Sequence, residues 1–405
     1  MKALRSLLDK QKPHFAEGGK YGKFHYLFEA AETFMFVPDH TTPAKGVQVR
    51  DAIDLKRYMM TVVIAILPTL FFGMWNVGHQ HYIATGEQAD FLTKFLLGAK
   101  LVLPVVIVAY TAGGIVEVIF SLWRKHPINE GFLVTGILIP LILPVTIPLW
   151  QVALGTVFAV LIAKEVFGGT GMNILNIAMT ARAFLYFAYP TELSGNVWTY
   201  LPVGSKTVDG YSGATALSVL NEASVAAVDV QNGAVAALSD SWYPDLFSFG
   251  NMFFGAIPGC IGETSTLMCL IGAAILIITG TGNWKIIFSV FAGAWAMGLL
   301  LNLFAANGLG NAFLGVPAHY HLVMGGLAFG AVYMATDPVS ASQTETGKWF
   351  YGALIGIFTV LIRVFNPAYP EGIMLAVLLM NVFAPLIDYF VVDANKKRRL
   401  KRATV

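Results

Sequence analysis

Tyr58-Met59-Met60-Thr61-Val62-Val63-Ile64-Ala65-Ile66-Leu67-Pro68-Thr69-Leu70-Phe71-Phe72-Gly73-Met74-Trp75-Asn76-Val77-Gly78 contains no charged side chain. About 20 such residues, wound as a helix, cross a hydrocarbon layer of about 30 Å. The pattern recurs down the chain. Ten runs have the length and apolarity of spans: 58–78, 96–122, 128–149, 151–167, 172–190, 264–282, 286–305, 319–336, 350–366 and 372–391. Hydrophobic residues make up 56% of the 405 and charged ones 12%, too few to clothe a water-soluble surface of this size. The expected fold is an all-α polytopic membrane protein of ten transmembrane helices.

The charges orient it. Residues 1–57 hold ten Lys and Arg residues, with an amphipathic segment from Lys23 to Phe36 and a Pro/Thr linker around His40 to Pro43. They read as a cytoplasmic arm on the membrane surface, with Phe24, Leu27, Phe28, Phe34 and Phe36 facing lipid or protein. Adding Arg124, Lys125, Lys164, Lys285, Lys348 and the tail Lys396-Lys397-Arg398-Arg399 with Lys401 and Arg402 places 21 of 26 cations on one side. Cations collect on the cytoplasmic side, so both termini belong there and the loop from Thr191 to Asp245 lies outside. The divisions are an arm (1–57), a first bundle of five spans (58–190), an outer loop (191–263), a second bundle of five (264–391) and a basic tail (392–405). Leu246 to Gly262, broken by Gly250, Gly255, Pro258 and Gly259, reads as re-entrant. Asn129-Glu130-Gly131-Phe132-Leu133-Val134 resembles Pro370-Glu371-Gly372-Ile373-Met374-Leu375, and the two runs enter oppositely directed spans. That echo fits two inverted repeats of five spans or a coincidence of short runs.

Several chemistries find no residues. No P-loop, dinucleotide fingerprint or HExxH pattern is present, so NADH and ATP chemistry must sit on another chain. Cys260 and Cys269 make neither a disulfide framework nor a four-thiolate cluster, and no metal site is expected. The pairs His79/His81 and His319/His321 have a spacing that turns their rings apart on a helix, and read as interfacial.

Charge within hydrocarbon is the strongest pointer to function. Glu117, Glu130, Glu165, Glu263, Asp337, Glu371 and Asp388 are the carboxylates in or at the edge of spans, with Arg182 and Arg363 as cations. Glu130 and Glu371 suit the first turns of their helices, and Glu165 suits pairing with Lys164. Glu117, Asp337 and Asp388 have no neighbouring cation in sequence and are the candidates for a sodium path, sodium preferring oxygen ligands. Gly113-Gly114 leaves bare backbone for a flat ring or for tight helix packing. Asn173 and Asn176, spaced i, i+3 at the start of span five, would share a helical face, there to bond the edge of a heterocycle or each other.

One polar run interrupts the apolar sequence: Asp209-Gly210-Tyr211-Ser212-Gly213-Ala214-Thr215-Ala216-Leu217-Ser218. Small neighbours leave the Thr215 hydroxyl uncrowded, as a modification site requires. A plainer reading is a surface turn, with Ser212 capping a helix from Ala214 to Leu220.

This run resembles the flavinylation motif of the sodium-pumping NADH:quinone reductases and their Rnf-type relatives. Across its whole length the chain resembles the B subunit of the sodium pumps. Matching stretches include Glu17-Gly18-Gly19-Lys20, Arg50-Asp51, Lys164-Glu165-Val166-Phe167-Gly168-Gly169-Thr170-Gly171, Ile261-Gly262-Glu263-Thr264-Ser265, Ala335-Thr336-Asp337-Pro338 and Asn366-Pro367-Ala368-Tyr369-Pro370-Glu371-Gly372. Ile177 departs from the family pattern, where a proline is expected. The resemblance implies FMN esterified to Thr215 through its phosphate, with Asp209, Ser212, Gly213 and Ala214 completing the motif, and riboflavin held non-covalently near Asn173 and Asn176. It implies ubiquinone reduction near Gly113, Gly114 and Glu117. It further implies five partner subunits (A, C, D, E and F), a flavin transferase for maturation, a bacterial inner membrane location with Thr215 on the periplasmic face, and no nucleic acid partner. The rival readings are an Rnf-type electron-transport subunit and a flavin-free small-solute channel or transporter.

Overall fold

The computed structural model describes residues 2–16, 19–36, 46, 53–126, 128, 131–225, 233–308, 310–366 and 368–403. The His40–Pro43 linker, Glu17, Gly18, Arg50, Asp51, Glu130 and Pro367 lie outside the described residues. Every regular element within them is helical: α1 (Lys2–Phe15), α2 (His25–Met35), α3 (Leu55–Thr85), α4 (Phe91–Arg124), α5 (Gly131–Leu141), α6 (Leu149–Phe158), α7 (Ile177–Ala188), α8 (Ala216–Val225), α9 (Gly233–Ser239), α10 (Phe249–Phe254), α11 (Thr266–Ile278), α12 (Trp284–Ala306), α13 (Tyr320–Val323), α14 (Leu327–Phe329), α15 (Glu345–Phe365) and α16 (Ile373–Ala403). Two π-helical segments, Ala159–Glu165 after α6 and Gly330–Met334 after α14, complete the set with short 3-10 turns.

Cap residues explain where the principal helices begin. The side chains of Asp54, Asp90, Asn176, Ser265, Asn283 and Thr344 each accept from a backbone N–H of the following turn, satisfying donors that a helix start leaves open. At the far end of α3, Gly86 takes φ 72°, a conformation that suits glycine.

Five helices, α3, α4, α12, α15 and α16, are long and apolar enough to cross a membrane, and α5, α7 and α11 are shorter apolar helices. The remaining expected spans are shorter or interrupted: α6 runs on into the π segment through Glu165, α7 and α11 are single short helices, and two segments break. In 128–149 the helix stops at Leu141, because Pro144 lacks the N–H that the next turn would need, and it restarts after Pro148 as α6. In 319–336 it breaks after Val323: Met324 is extended and Gly325 has φ +57°.

The interrupted segments repair one another. Gly262 N–H donates to the Leu141 carbonyl (2.8 Å) and Ile261 N–H to that of Leu143 (3.2 Å), joining the break after α5 to the loop before α11. The Arg363 guanidinium donates to the carbonyls of His321 (2.6 Å), Met324 (2.8 Å) and Glu371 (3.2 Å), taking the place of the missing helix bonds around α13.

Long helices meet through small residues. A side chain at Gly98 would run into the Met74 carbonyl of α3, and one at Gly293 into the Ala353 carbonyl of α15. The arm packs at the α3 N-terminus: Tyr26 donates to the Lys125 carbonyl (2.9 Å), Lys56 bonds Thr33, and Phe28 stacks on Phe15 at 4.8 Å, while Phe24 and Leu27 stay exposed. Tyr58 reaches the Thr281 carbonyl (2.9 Å) at this same end, and Lys285 pairs with Glu345. At the other end of α3, about 46 Å away by helical rise, Val208 N–H donates to the Ala84 carbonyl (2.9 Å) and the Tyr200 carbonyl contacts His81 (2.8 Å). Arm and outer loop thus cap opposite ends of the bundle.

Gly98→Leu is expected to destabilise the chain by roughly 1–3 kcal/mol through overpacking, read as a lower melting temperature in detergent. Gly114→Ala, which meets nothing within 4 Å, should leave that temperature unchanged.

Candidate functional site

Thr215 stands where the outer loop becomes α8. Its hydroxyl accepts from Ser218 N–H (3.3 Å) and contacts the Ser218 hydroxyl (3.2 Å), so Thr215 caps this helix. The Ser212 side chain instead bonds Ala214 N–H (3.3 Å), and α8 begins at Ala216, two residues later than the plainer reading placed it. Gly213 and Ala214 are buried, Thr215 is half-buried and Asp209 is exposed.

Thr215 lines a cavity of about 710 Å³, with Tyr186, Trp198, Cys260, Glu263, Tyr369 and Glu371 among its walls. Trp198 is 9% exposed and its indole N–H has no acceptor. Beneath the cavity, Arg182 pairs with Glu263 (2.6 Å) and with Glu371, which also accepts from the Tyr369 hydroxyl (3.2 Å). The Cys260 sulfur and the two carboxylates offer ligand atoms within 4.8 Å of one another, and Arg182 supplies the positive charge they need. Glu371, expected as a helix-start charge, precedes α16 by two residues and belongs to this cluster. The signal was legible: a lone arginine inside an apolar span demands an anion.

A second cavity, about 850 Å³, opens toward the arm end. Its walls include Tyr58, Lys164, Asn173, Asn176, Tyr333 and Asp337. The two asparagines do not share a helical face. Asn176 caps α7, accepting from Met179 N–H (3.1 Å) and donating to the Met334 carbonyl (3.4 Å), whereas Asn173 lies in the preceding turn and donates to the Leu175 carbonyl (3.1 Å). The turn folds both against one cavity. Ile177 opens α7 without a proline, the asparagine cap sufficing to start it.

The π turn of 159–165 buries the consecutive residues Lys164 and Glu165. Lys164 pairs with Glu117, not with Glu165, and Glu165 pairs with Arg124 (3.2 Å). Glu117, for which the sequence offered no adjacent cation, therefore has one in space. Of the glycine pair before it, Gly113 is closed by the Phe132 ring while Gly114 faces open space. Asp337 accepts from Val339 N–H (3.1 Å) and the Ser340 hydroxyl (2.8 Å). Asp388 is only partly buried and takes bonds from the Ser342 and Thr344 hydroxyls and from Gln343 and Thr344 N–H, tying α16 to the start of α15. His321, expected at an interface, is fully buried beside Phe313.

These features define a class: a polytopic helical membrane protein whose bundle holds two cavities flanked by buried ion pairs. The sequence description of the NQR2, RnfD, RnfE family matches residues 42–397. Relatives named as the B subunit of Na(+)-translocating NADH-quinone reductase are 49% identical in Chromohalobacter salexigens, 48% in Stutzerimonas stutzeri and 46% in Klebsiella pneumoniae. Each alignment covers 98% of this chain and 96%, 99% and 99% of those relatives. The chain belongs to the NQR2, RnfD, RnfE family and is of the B-subunit type within it.

Arg182→Gln leaves Glu263 and Glu371 without their cation, and is expected to cost about 3–5 kcal/mol. Thermal unfolding should show the loss, with partial recovery in Arg182→Gln/Glu263→Gln.

Proposed function

We propose that this chain is the membrane subunit of a redox-driven sodium pump that passes electrons from FMN esterified to Thr215, through riboflavin, to ubiquinone. The observation that carries the reading is that one short helix touches both cavities. Ile177 and Ala178 of α7 line the Asn173/Asn176 cavity and Tyr186 lines the Thr215 cavity, about 12 Å further along the axis. Two flavins in these cavities would stand in sequence across the bundle.

The residues fit the groups. A phosphate on Thr215 would sit at the start of α8, where helix N–H groups and dipole favour negative charge. Trp198, whose buried indole N–H has no partner, stands on the wall of the same cavity. Bound flavins supply the electron chemistry, while the protein holds, orients and insulates them. Asn173 and Asn176 would hold riboflavin, and Asp209, Ser212, Gly213 and Ala214 would present Thr215 to the transferase. Gly114, with Gly113 and Glu117 behind it, would border the quinone. The sodium path would run by Asp388 at the arm end, Asp337 on the cavity wall and Glu117.

The pump would cross a bacterial inner membrane ten times, counting the interrupted segments and an inverted five-span repeat. Both termini would be cytoplasmic and Thr215 periplasmic. The partners would be the A, C, D, E and F subunits. The B-subunit names of the relatives favour this over the Rnf-type reading.

Thr215→Ala is expected to abolish the in-gel flavin fluorescence of this chain and the FMN mass on its Thr215 peptide; a full signal would remove Thr215 as the anchor. Asn173→Leu/Asn176→Leu should keep that adduct and lower the riboflavin extracted from the purified complex at least about tenfold, the scale of losing two buried hydrogen bonds.

A further inference from the structure

The Asn173/Asn176 cavity has one buried cation on its wall, and that cation is committed elsewhere. Lys164 is 2% exposed and pairs with Glu117, itself 3% exposed on α4. An ammonium carries three N–H donors, so one carboxylate need not use them all. The neighbouring charges are already engaged: Glu165 is held by Arg124, and His126 stands near Glu117. Asp337, across the cavity, is held by Ser340 and the Val339 N–H.

We propose that Lys164 is a charge-exchanging residue shared between Glu117 and the heterocycle in this cavity, and that its transfer to the heterocycle frees Glu117 to bind sodium. The inference rests on the proposed flavin occupancy of the cavity. When an electron from the NADH-driven part of the complex gives the bound ring a negative charge, the Lys164 ammonium turns to it and stays protonated. Glu117 would then be a buried, unpaired carboxylate, which low-dielectric surroundings do not tolerate. A sodium ion from water restores neutrality. Onward transfer of the electron to quinone removes the ring's charge, Lys164 returns, and the ion is released. Each charge movement requires the next, which is how differential affinity couples two sites. The flexible four-carbon stem suits lysine to the exchange, and the π turn places it on the cavity wall.

The test uses the complete complex with wild-type chain, Lys164→Gln, Lys164→Arg and Glu117→Gln. Redox difference infrared spectra are recorded with and without sodium, alongside sodium-dependent quinone reduction and extracted riboflavin. The wild type is expected to show a sodium-dependent carboxylate band on reduction that vanishes in Glu117→Gln. In Glu117→Gln and Lys164→Gln, activation by sodium should shrink to no more than about twofold, while Lys164→Arg restores part of it. An unaltered carboxylate band or unaltered sodium activation in Glu117→Gln overturns the proposal, and decides it alone if Lys164→Gln fails to assemble. Absence of riboflavin from wild-type complex would instead overturn the flavin reading of the cavity, and the exchange with it. Normal riboflavin with an unchanged sodium response would overturn the exchange alone.

Discussion

Hydrocarbon offers no hydrogen bonds, and this bundle is built around that shortage. Five helices meet it by continuing unbroken. The chain near Leu141, Ile261 and Met324 cannot, and finds its partners across the bundle: backbone of one break bonds backbone of another, and Arg363 serves three carbonyls at once. Interrupted segments of this kind cost stability only where they are left unsatisfied. Here they open space between helices, and the Thr215 cavity is lined by Cys260, Glu263 and Gly325 from two of them.

The same rule governs the charges. Arg182 with Glu263 and Glu371 and Lys164 with Glu117 are pairs largely withdrawn from water, while Glu165 is buried against an exposed Arg124. A buried pair is a poor source of stability compared with well-packed apolar residues. The Arg182 cluster lies under the Thr215 cavity and the Lys164 pair beside the Asn173/Asn176 cavity, so each cavity has a charged wall.

At Thr215 a structural role and the proposed chemical one share an atom. Its oxygen caps α8, and a phosphoester there would keep negative charge at the same helix start. Asp388, proposed for the sodium path, also makes four hydrogen bonds that fasten α16 to the start of α15.

Some of this was written in the residue order alone. Apolar run length determines a helical membrane protein, because the burial of apolar runs follows from transfer energies that act locally, and the structure places the arm and the Thr215 loop at opposite ends of it. The Thr215 run stood out because polar glycine-containing sequence is rare in such a chain. Tertiary structure decided the rest. Asn173 and Asn176 meet one cavity through a turn and a cap, not through helical spacing. Glu117 finds Lys164, 47 residues on, and Arg182 finds Glu371, 189 residues on. Sequence spacing reports neighbours only within one element, whereas the partner of a buried charge is chosen by how separate elements pack, and no local pattern carries that choice.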